Sequence, residues 1–509
     1  MAVCGFCRST LLRDGEALQR IGVSAELFDD HSPLQLGVSG RSQGAGFTLV
    51  GRLQMRYAGG TWNEWHALFD NGRSGWLSED NGQYVLAFEA PAPPESLPPA
   101  EALRAGAQQV IAGVGWSVAT VVAVKVGAAE GELAFAPNLA RGHVVAELRN
   151  TRGEVASIDY GDSPPRWYVG RGVRLDDLSL SGLKDESTKT IKGRSLECPS
   201  CGAGLEAKLA STQSIVCHQC HAVVDLAAKE PGVARGLAHY AQENGLEPLL
   251  PLGSTGLLAL GSAKPLPWQV VGYVERRDLP ESAEDESTFW REYLLYHRTE
   301  GFAFLVDAED GWSWTRTLTG VPRSVAGDRV ELDGDTYRKK YRYAAVITYV
   351  LGEFYWHLER DQRTLNTDYE GIGRAALKGT GRTAIKRLNR EEAGGEVTWS
   401  RGEALQSETL MQAFRLPATQ KQAMRRDASP LSAQGVDLTK LIVWGVVIAL
   451  VLVVLLSQCS RRDDCDDLRR TFGPNSNEYQ QCLRSSGSGS SGNRGGSWGG
   501  WSSGGGGHK

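Results

Sequence analysis

Phe47-Thr-Leu-Val-Gly51-Arg52, followed by Trp62-Asn-Glu64-Trp65, decides how this chain is read, because both stretches return as Trp268-Gln-Val-Val-Gly272-Tyr273 and Trp290-Arg-Glu292-Tyr293. Three more matches follow in the same order. Gly131-Glu132-Leu133 answers Gly352-Glu353-Phe354, Asp159-Tyr160 answers Asp368-Tyr369, and Arg171-Gly172 with Leu175 answers Arg401-Gly402 with Leu405. Five ordered matches at offsets between 209 and 230 residues mark a tandem duplication.

Each copy carries a β pattern. In the first, Phe47 to Met55 alternates, Gly59-Gly60 turns the chain into Trp62 to Phe69, Asn71-Gly72 turns it into Gly75-Trp76-Leu77, and Asn81-Gly82 leads to Tyr84 to Phe88. Short strands joined by turn dipeptides form a meander that can close into a small barrel. A proline-rich connector (Pro91, Pro93, Pro94, Pro98, Pro99) precedes strands around Trp116 to Val126, Val144 to Arg149 and Val155 to Tyr160. The second copy follows the same plan with two excursions, the acidic loop Glu281 to Glu286 and the basic segment Arg374 to Arg390. Fourteen Trp against twelve Phe, with 61 Gly, fit a β-rich chain with many turns.

The nine cysteines sort by position. Cys198, Cys201, Cys217 and Cys220 form two C-x2-C knuckles with fifteen residues between them, the spacing of a Cys4 zinc ribbon. Cys4 and Cys7 align with the later knuckle only, so the first ribbon is incomplete. They borrow ligands, form a redox pair, or belong to a chain whose true start lies upstream of Met1; the last is the expectation here. Cys459, Cys465 and Cys482 lie at or beyond Leu441 to Leu456, sixteen residues without a charge. With the next four residues, that run spans roughly 30 Å as a helix, one hydrocarbon core.

The expected architecture is mainly β: residues 1–33 a partial zinc ribbon and connector, 34–183 the first β repeat, 184–230 the Cys4 ribbon, 231–416 the second β repeat, 417–440 a basic linker, 441–460 a transmembrane helix and 461–509 a disordered Gly/Ser-rich tail. No signal-peptide pattern opens the sequence, so the body is expected in the cytoplasm and the tail outside, with Cys465 and Cys482 closing a disulfide there. Lys and Arg are balanced across the span and do not orient it. A net charge of −5 over 509 residues gives no general electrostatic case for nucleic acid.

The LVGR, WNEW and GWLSE motifs of the first copy and the GEFYW, DYEG and EVTWSRGEAL motifs of the second resemble the bacterial domain of unknown function 4178 family, over roughly residues 34 to 180 and 250 to 416. The resemblance implies a bacterial, often duplicated, sometimes membrane-tethered protein, in gene neighbourhoods touching envelope stress and polyamine metabolism. It implies no catalytic residues. Where the first copy has Trp65 and Gly75-Trp76-Leu77, the second has Tyr293 and Phe304-Leu305.

Candidate sites outside the cysteines are carboxylates. Glu64 and Glu292 recur between aromatics, and alternation places Glu64 beside Trp62 and opposite Trp65. Glu64 with Asp70 or Glu79 makes an acid/base pair, or simply accepts a bond from an indole N–H or an arginine. His66 is replaced by Leu294 in the second copy, so a duplicated histidine mechanism has no support. Asp159-Tyr160 and Asp368-Tyr369 suit a cation or a packed turn, and Glu132 and Glu353 suit turns. Arg374 to Arg390, with Arg338-Lys339-Lys340, suits anionic lipid headgroups or solvent. The expected function is a membrane-anchored, zinc-stapled binding or scaffold module for a protein or small cationic partner at the inner membrane. The alternative is a hydrolase or polyamine-linked enzyme using the carboxylates of the first repeat. No familiar hydrolase or nucleotide-binding signature is present.

Overall fold

The computed structural model describes residues 2–3, 9–14, 17–23, 32–58, 60–91, 97–135, 141–184, 194–208, 212–226, 239–242, 245–280, 286–358, 361–373, 385–426 and 464–486. Residues 1–430 form one compact unit and 431–509 another.

Two eight-stranded antiparallel barrels dominate the first unit, and helices are few. Barrel 1 comprises β1 (Ala45–Tyr57), β2 (Gly60–Phe69), β3 (Ser74–Asp80), β4 (Gln83–Glu89), β5 (Val114–Glu132), β6 (His143–Arg149), β7 (Glu154–Asp159) and β8 (Arg166–Val173). Barrel 2 comprises β9 (Leu266–Leu279), β10 (Phe289–His297), β11 (Gly301–Ala308), β12 (Gly311–Thr317), β13 (Asp335–Phe354), β14 (Arg363–Ile372), β15 (Lys386–Ala393) and β16 (Glu396–Leu405). Each is a pair of four-strand meanders clasped at both edges: β1 on β5 and β4 on β8 in one, β9 on β13 and β12 on β16 in the other. The second meander therefore completes the same barrel, closing every edge that an open meander would leave exposed.

The closing seam explains one recurring motif. Gly51 lies opposite Gly131, and Gly272 opposite Gly352, where a bulged strand crosses its partner at close quarters. A Cβ on Gly51 would stand 1.9 Å from the Glu132 carbonyl oxygen, and Gly131 holds φ +69°, so neither position admits a side chain. The same bulges, after Leu49 and after Val270, reverse which face each strand turns inward. Leu53, Met55, Trp76, Ala87, Val124, Val126 and Tyr168, drawn from strands all round the barrel, then line part of the lumen of barrel 1. Trp65, Leu49 and Leu77 face outward and are covered by Leu34, Val38, Leu175 and Leu178.

Four of the five repeat matches fall on equivalent strands. The Asp-Tyr match does not: Asp159 ends β7, whereas Asp368 lies within β14, the counterpart of β6. A strand at Arg166–Val173 was not foreseen, because its run of arginines and glycines carries little alternation. The second repeat extends to Arg426 rather than giving way to a linker at residue 417. The Ser407–Ala413 and Lys421–Met424 helices bring Leu410, Phe414 and Met424 against Trp312 and Trp268. The proposed span at 441–460 lies outside the described residues, as do Cys4, Cys7, the acidic loop through residue 285 and the tail from 487. No helix among the described residues is long and apolar enough to cross a membrane. Within the second unit, the Asp464–Phe472 and Asn477–Ser486 helices form a hairpin closed by the expected Cys465–Cys482 disulfide, Cα atoms 5.9 Å apart.

Candidate functional site

Two places gather chemistry, a cysteine cluster beside barrel 2 and the carboxylates in the barrel walls. The cluster rests on two small hairpins, one from strands Arg194–Glu197 and Gly204–Ala207, the other from Ser214–Val216 and Val223–Asp225. Each knuckle is a tight turn: Gly202 N–H donates to Cys198 O at 2.8 Å, and His221 N–H to Cys217 O at 2.9 Å. The turns aim the Sγ atoms of Cys198, Cys201, Cys217 and Cys220 at one point, all within 4.8 Å of one another, and this set can hold a metal ion.

The cluster is fastened to barrel 2 at a place the sequence repeat had marked. Strand Ser214–Val216 adds to β13, Ile215 opposite Glu353. The Glu353 carboxylate accepts from Thr212 Oγ1 at 2.7 Å and from the Lys208 backbone N–H at 2.8 Å, so it ties the two parts together rather than forming a turn. The Tyr349 hydroxyl lies 3.1 Å from His221 Nδ1. In the first copy, strand Ala2–Val3 pairs with β5 in the same register, Ala2 opposite Glu132, which sets Cys4 in the sequence place of Cys217.

Glu64 lies on the lumen face of β2. Trp62 Nε1–H donates to its Oε1 at 2.7 Å and the Ser78 hydroxyl to its Oε2 at 2.7 Å. Burial pushes its carboxyl up to about 7; the two donors oppose that shift, and Glu147 and Asp159 add to it. Asp80, at the end of β3, is also pushed up to about 7 by its surroundings, then by Glu147 and by Glu396 of barrel 2. Its residue nonetheless keeps access to solvent.

Neither predicted partner of Glu64 joins it. Glu79 sits on the opposite face of the wall, accepting from Ser32 Oγ at 2.6 Å, Trp65 Nε1 at 2.9 Å and Asn63 Nδ2 at 3.1 Å, because Asn63, not Glu64, is its neighbour across the ladder. Asp70 is exposed, beyond the far end of β2. His66 is buried between the Glu132 carbonyl (2.9 Å) and Ser74 Oγ (3.1 Å), stacked on Trp76, and acts as packing. Asp159 accepts from Gly161 N–H at 2.7 Å and faces His143 at 3.2 Å, while Tyr160 donates to Pro98 O. Asp368 accepts from Asn389 Nδ2 at 2.8 Å, and the Tyr369 ring packs on Trp399.

In barrel 2 the counterpart of Glu64 is Glu292, which again takes its indole partner, Trp290, at 2.8 Å. Its other oxygen lies 3.0 Å from Arg276 Nε, an ion pair that sequence reading missed because it joins two strands across a loop of different length in each copy. The described residues of the basic segment are paired as well. Arg387 meets Asp310 at 2.6 Å, Lys386 meets Asp335 and Arg390 meets Glu392, and Lys340 meets Glu370 at 2.9 Å. These four cations are paired within the fold, while Arg374, Lys378 and Arg382 lie outside the described residues.

The family model described as Domain of unknown function (DUF4178) matches residues 35–175 and 260–407, one match per barrel. No curated protein and no solved structure matches the chain.

Proposed function

Because the chain belongs to the DUF4178 family through both of its barrels, we propose that it is a zinc-stapled binding module. Residues 441–460 hold it at the cytoplasmic face of a bacterial membrane, where it serves as a scaffold for a protein partner. The observation that carries this reading is the cysteine geometry. Cys198 and Cys220 Sγ lie 3.7 Å apart, as do Cys201 and Cys217 Sγ. Four thiolates about 2.3 Å from a tetrahedral zinc stand about 3.8 Å from one another, and these two separations, with all four sulfurs within 4.8 Å, support zinc as the ion this set would hold. The hairpins around them enclose few apolar side chains, chiefly Leu205, Ile215 and Val224, and a metal supplies the stability that so small a core lacks.

Cysteine usage supports the orientation. Free thiols lie before residue 441 and a disulfide after it, as expected if the two ends face reducing and oxidising compartments. The test is one preparation of full-length protein from membranes. One zinc per chain, lost in Cys217→Ser, with the chain released only by detergent, supports the reading. A metal-free protein, or one recovered in the aqueous fraction, overturns it.

A second reading, an enzyme using the carboxylates of barrel 1, draws support from Glu64 and Asp80, since carboxyls pushed up to about 7 suit general acid/base work. It requires a turnover that Glu64→Gln abolishes without altering zinc content.

A further inference from the structure

Both barrels hold the same carboxylate in the same place, and only barrel 2 supplies it with a counter-ion. There the Arg276 guanidinium faces Glu292 at 3.0 Å, Glu391 at 3.3 Å and Thr364 Oγ1 at 3.3 Å. Arg276 lies directly opposite Trp290 on the ladder; in barrel 1 the residue opposite Trp62 is Met55. Next to Glu64 across β3 stands Ser78, where Glu292 has Val306. Barrel 1 has therefore exchanged an arginine and a valine for a methionine and a serine. Among the described residues, no lysine or arginine pairs with Glu64.

We propose that the lumen of barrel 1 is a receptor site for the guanidinium group of a small molecule, with Glu64 as the carboxylate that binds it. Barrel 2 is the same site filled from within by Arg276. This rests on reading the chain as a binding module and names the ligand class of one barrel. Of the neighbouring acids, Glu147 has Arg149 at 3.8 Å and Asp159 has the imidazole of His143 at 3.2 Å, whereas Glu64 has no cation beside it among the described residues. Trp62 stands against Tyr57, ring centroids 5.5 Å apart, beside Glu64, and a planar cation lies well over such rings. The hairpin ends that carry Tyr57 and Asp80 are at the same end of the barrel, and Asp80 there is exposed. Met55 has an unbranched, adaptable side chain that can yield to an incoming group.

Binding should compete with the proton. Glu64, facing Glu147 and Asp159 with His143 and Arg149 behind them, is increasingly charged as pH rises through about 7, so the cation binds more tightly above that pH than below it.

The test uses the full-length, detergent-solubilised protein and methylguanidinium as the probe, followed by calorimetry at pH 6 and pH 8, with methylammonium for comparison. The wild type is expected to bind methylguanidinium saturably, several-fold more tightly at pH 8. Glu64→Gln, and separately Met55→Arg with Ser78→Val, are each expected to weaken binding tenfold or more. The double variant rebuilds the arrangement of barrel 2, so it retains its fold where a single change could fail. No saturable binding to the wild type, or equal binding by the wild type and both variants, overturns the proposal. Zinc content and membrane retention, read from the same samples, separate that failure from a failure of the module reading.

Discussion

The two barrels share a strand plan, a glycine seam and two wall carboxylates, yet they compensate the inner carboxylate by different means. Barrel 2 uses arginine: Arg276 on Glu292 inside the wall, and Arg291 with Arg426 on Asp307 outside it. Barrel 1 meets Glu64 with neutral donors, Trp62 and Ser78, and its Glu79 accepts from Ser32, Asn63, Trp65 and Tyr84. Ion pairing fixes a charge in place, whereas neutral donors leave the group free to take up a proton or a foreign cation. Duplication kept the acids and let their partners diverge, which is how one copy can be structural while its sister keeps an open site.

The contrast breaks most visibly at Arg276. Arg276→Met should leave Glu292 and Glu391 buried without a cation and cost barrel 2 about 3–5 kcal/mol in denaturant unfolding at pH 7; a loss under about 1 kcal/mol would show that the pair is incidental. Glu64→Gln should do the reverse. Because the folded carboxyl titrates near 7, well above an unfolded glutamate, its contribution is complete below the unfolded value and is lost as pH rises through about 7. The glutamine variant should therefore be more stable than wild type at pH 8, by on the order of 2 kcal/mol after allowance for solvent screening, with a flatter stability profile between pH 5 and 7.

The outer carboxylates sharpen the comparison at smaller magnitude. Arg426→Met removes the charged partner closest to Asp307 and should cost about 2 kcal/mol, seen as faster proteolysis of residues 407–426. Ser32→Ala removes one neutral donor of several from Glu79 and should cost about 1 kcal/mol. Equal costs would show that a charged donor and an uncharged one are worth the same at these two carboxylates.

What could be read from sequence followed the range of the interaction. The cysteine cluster was legible because its ligands come from two short, locally closed turns. Alternation and Asn-Gly turns showed the β1–β4 meander for the same reason. The clasp of β1 on β5 and of β4 on β8 joins residues scores of positions apart and leaves no local signature. The arginine swap was hidden by loop length: Met55 stands seven residues before Trp62, and Arg276 fourteen before Trp290, so only the ladder shows that they are counterparts. Pairing Glu64 with Glu79 failed on facing alone, since the pleat sends residues one position apart to opposite sides of the wall. The Asp-Tyr match shows that a two-residue likeness can straddle different strands.

The most direct measurement is the titration of Glu64 itself, followed by carboxyl infrared difference spectroscopy on full-length protein, with Glu64→Gln to assign the band. Divergent compensation predicts a protonated carboxyl that ionises near pH 7 in the wild type, and already ionised at that pH once Met55→Arg and Ser78→Val supply the arrangement of barrel 2. A Glu64 band that ionises at the ordinary glutamate value, unmoved by the double variant, would contradict it.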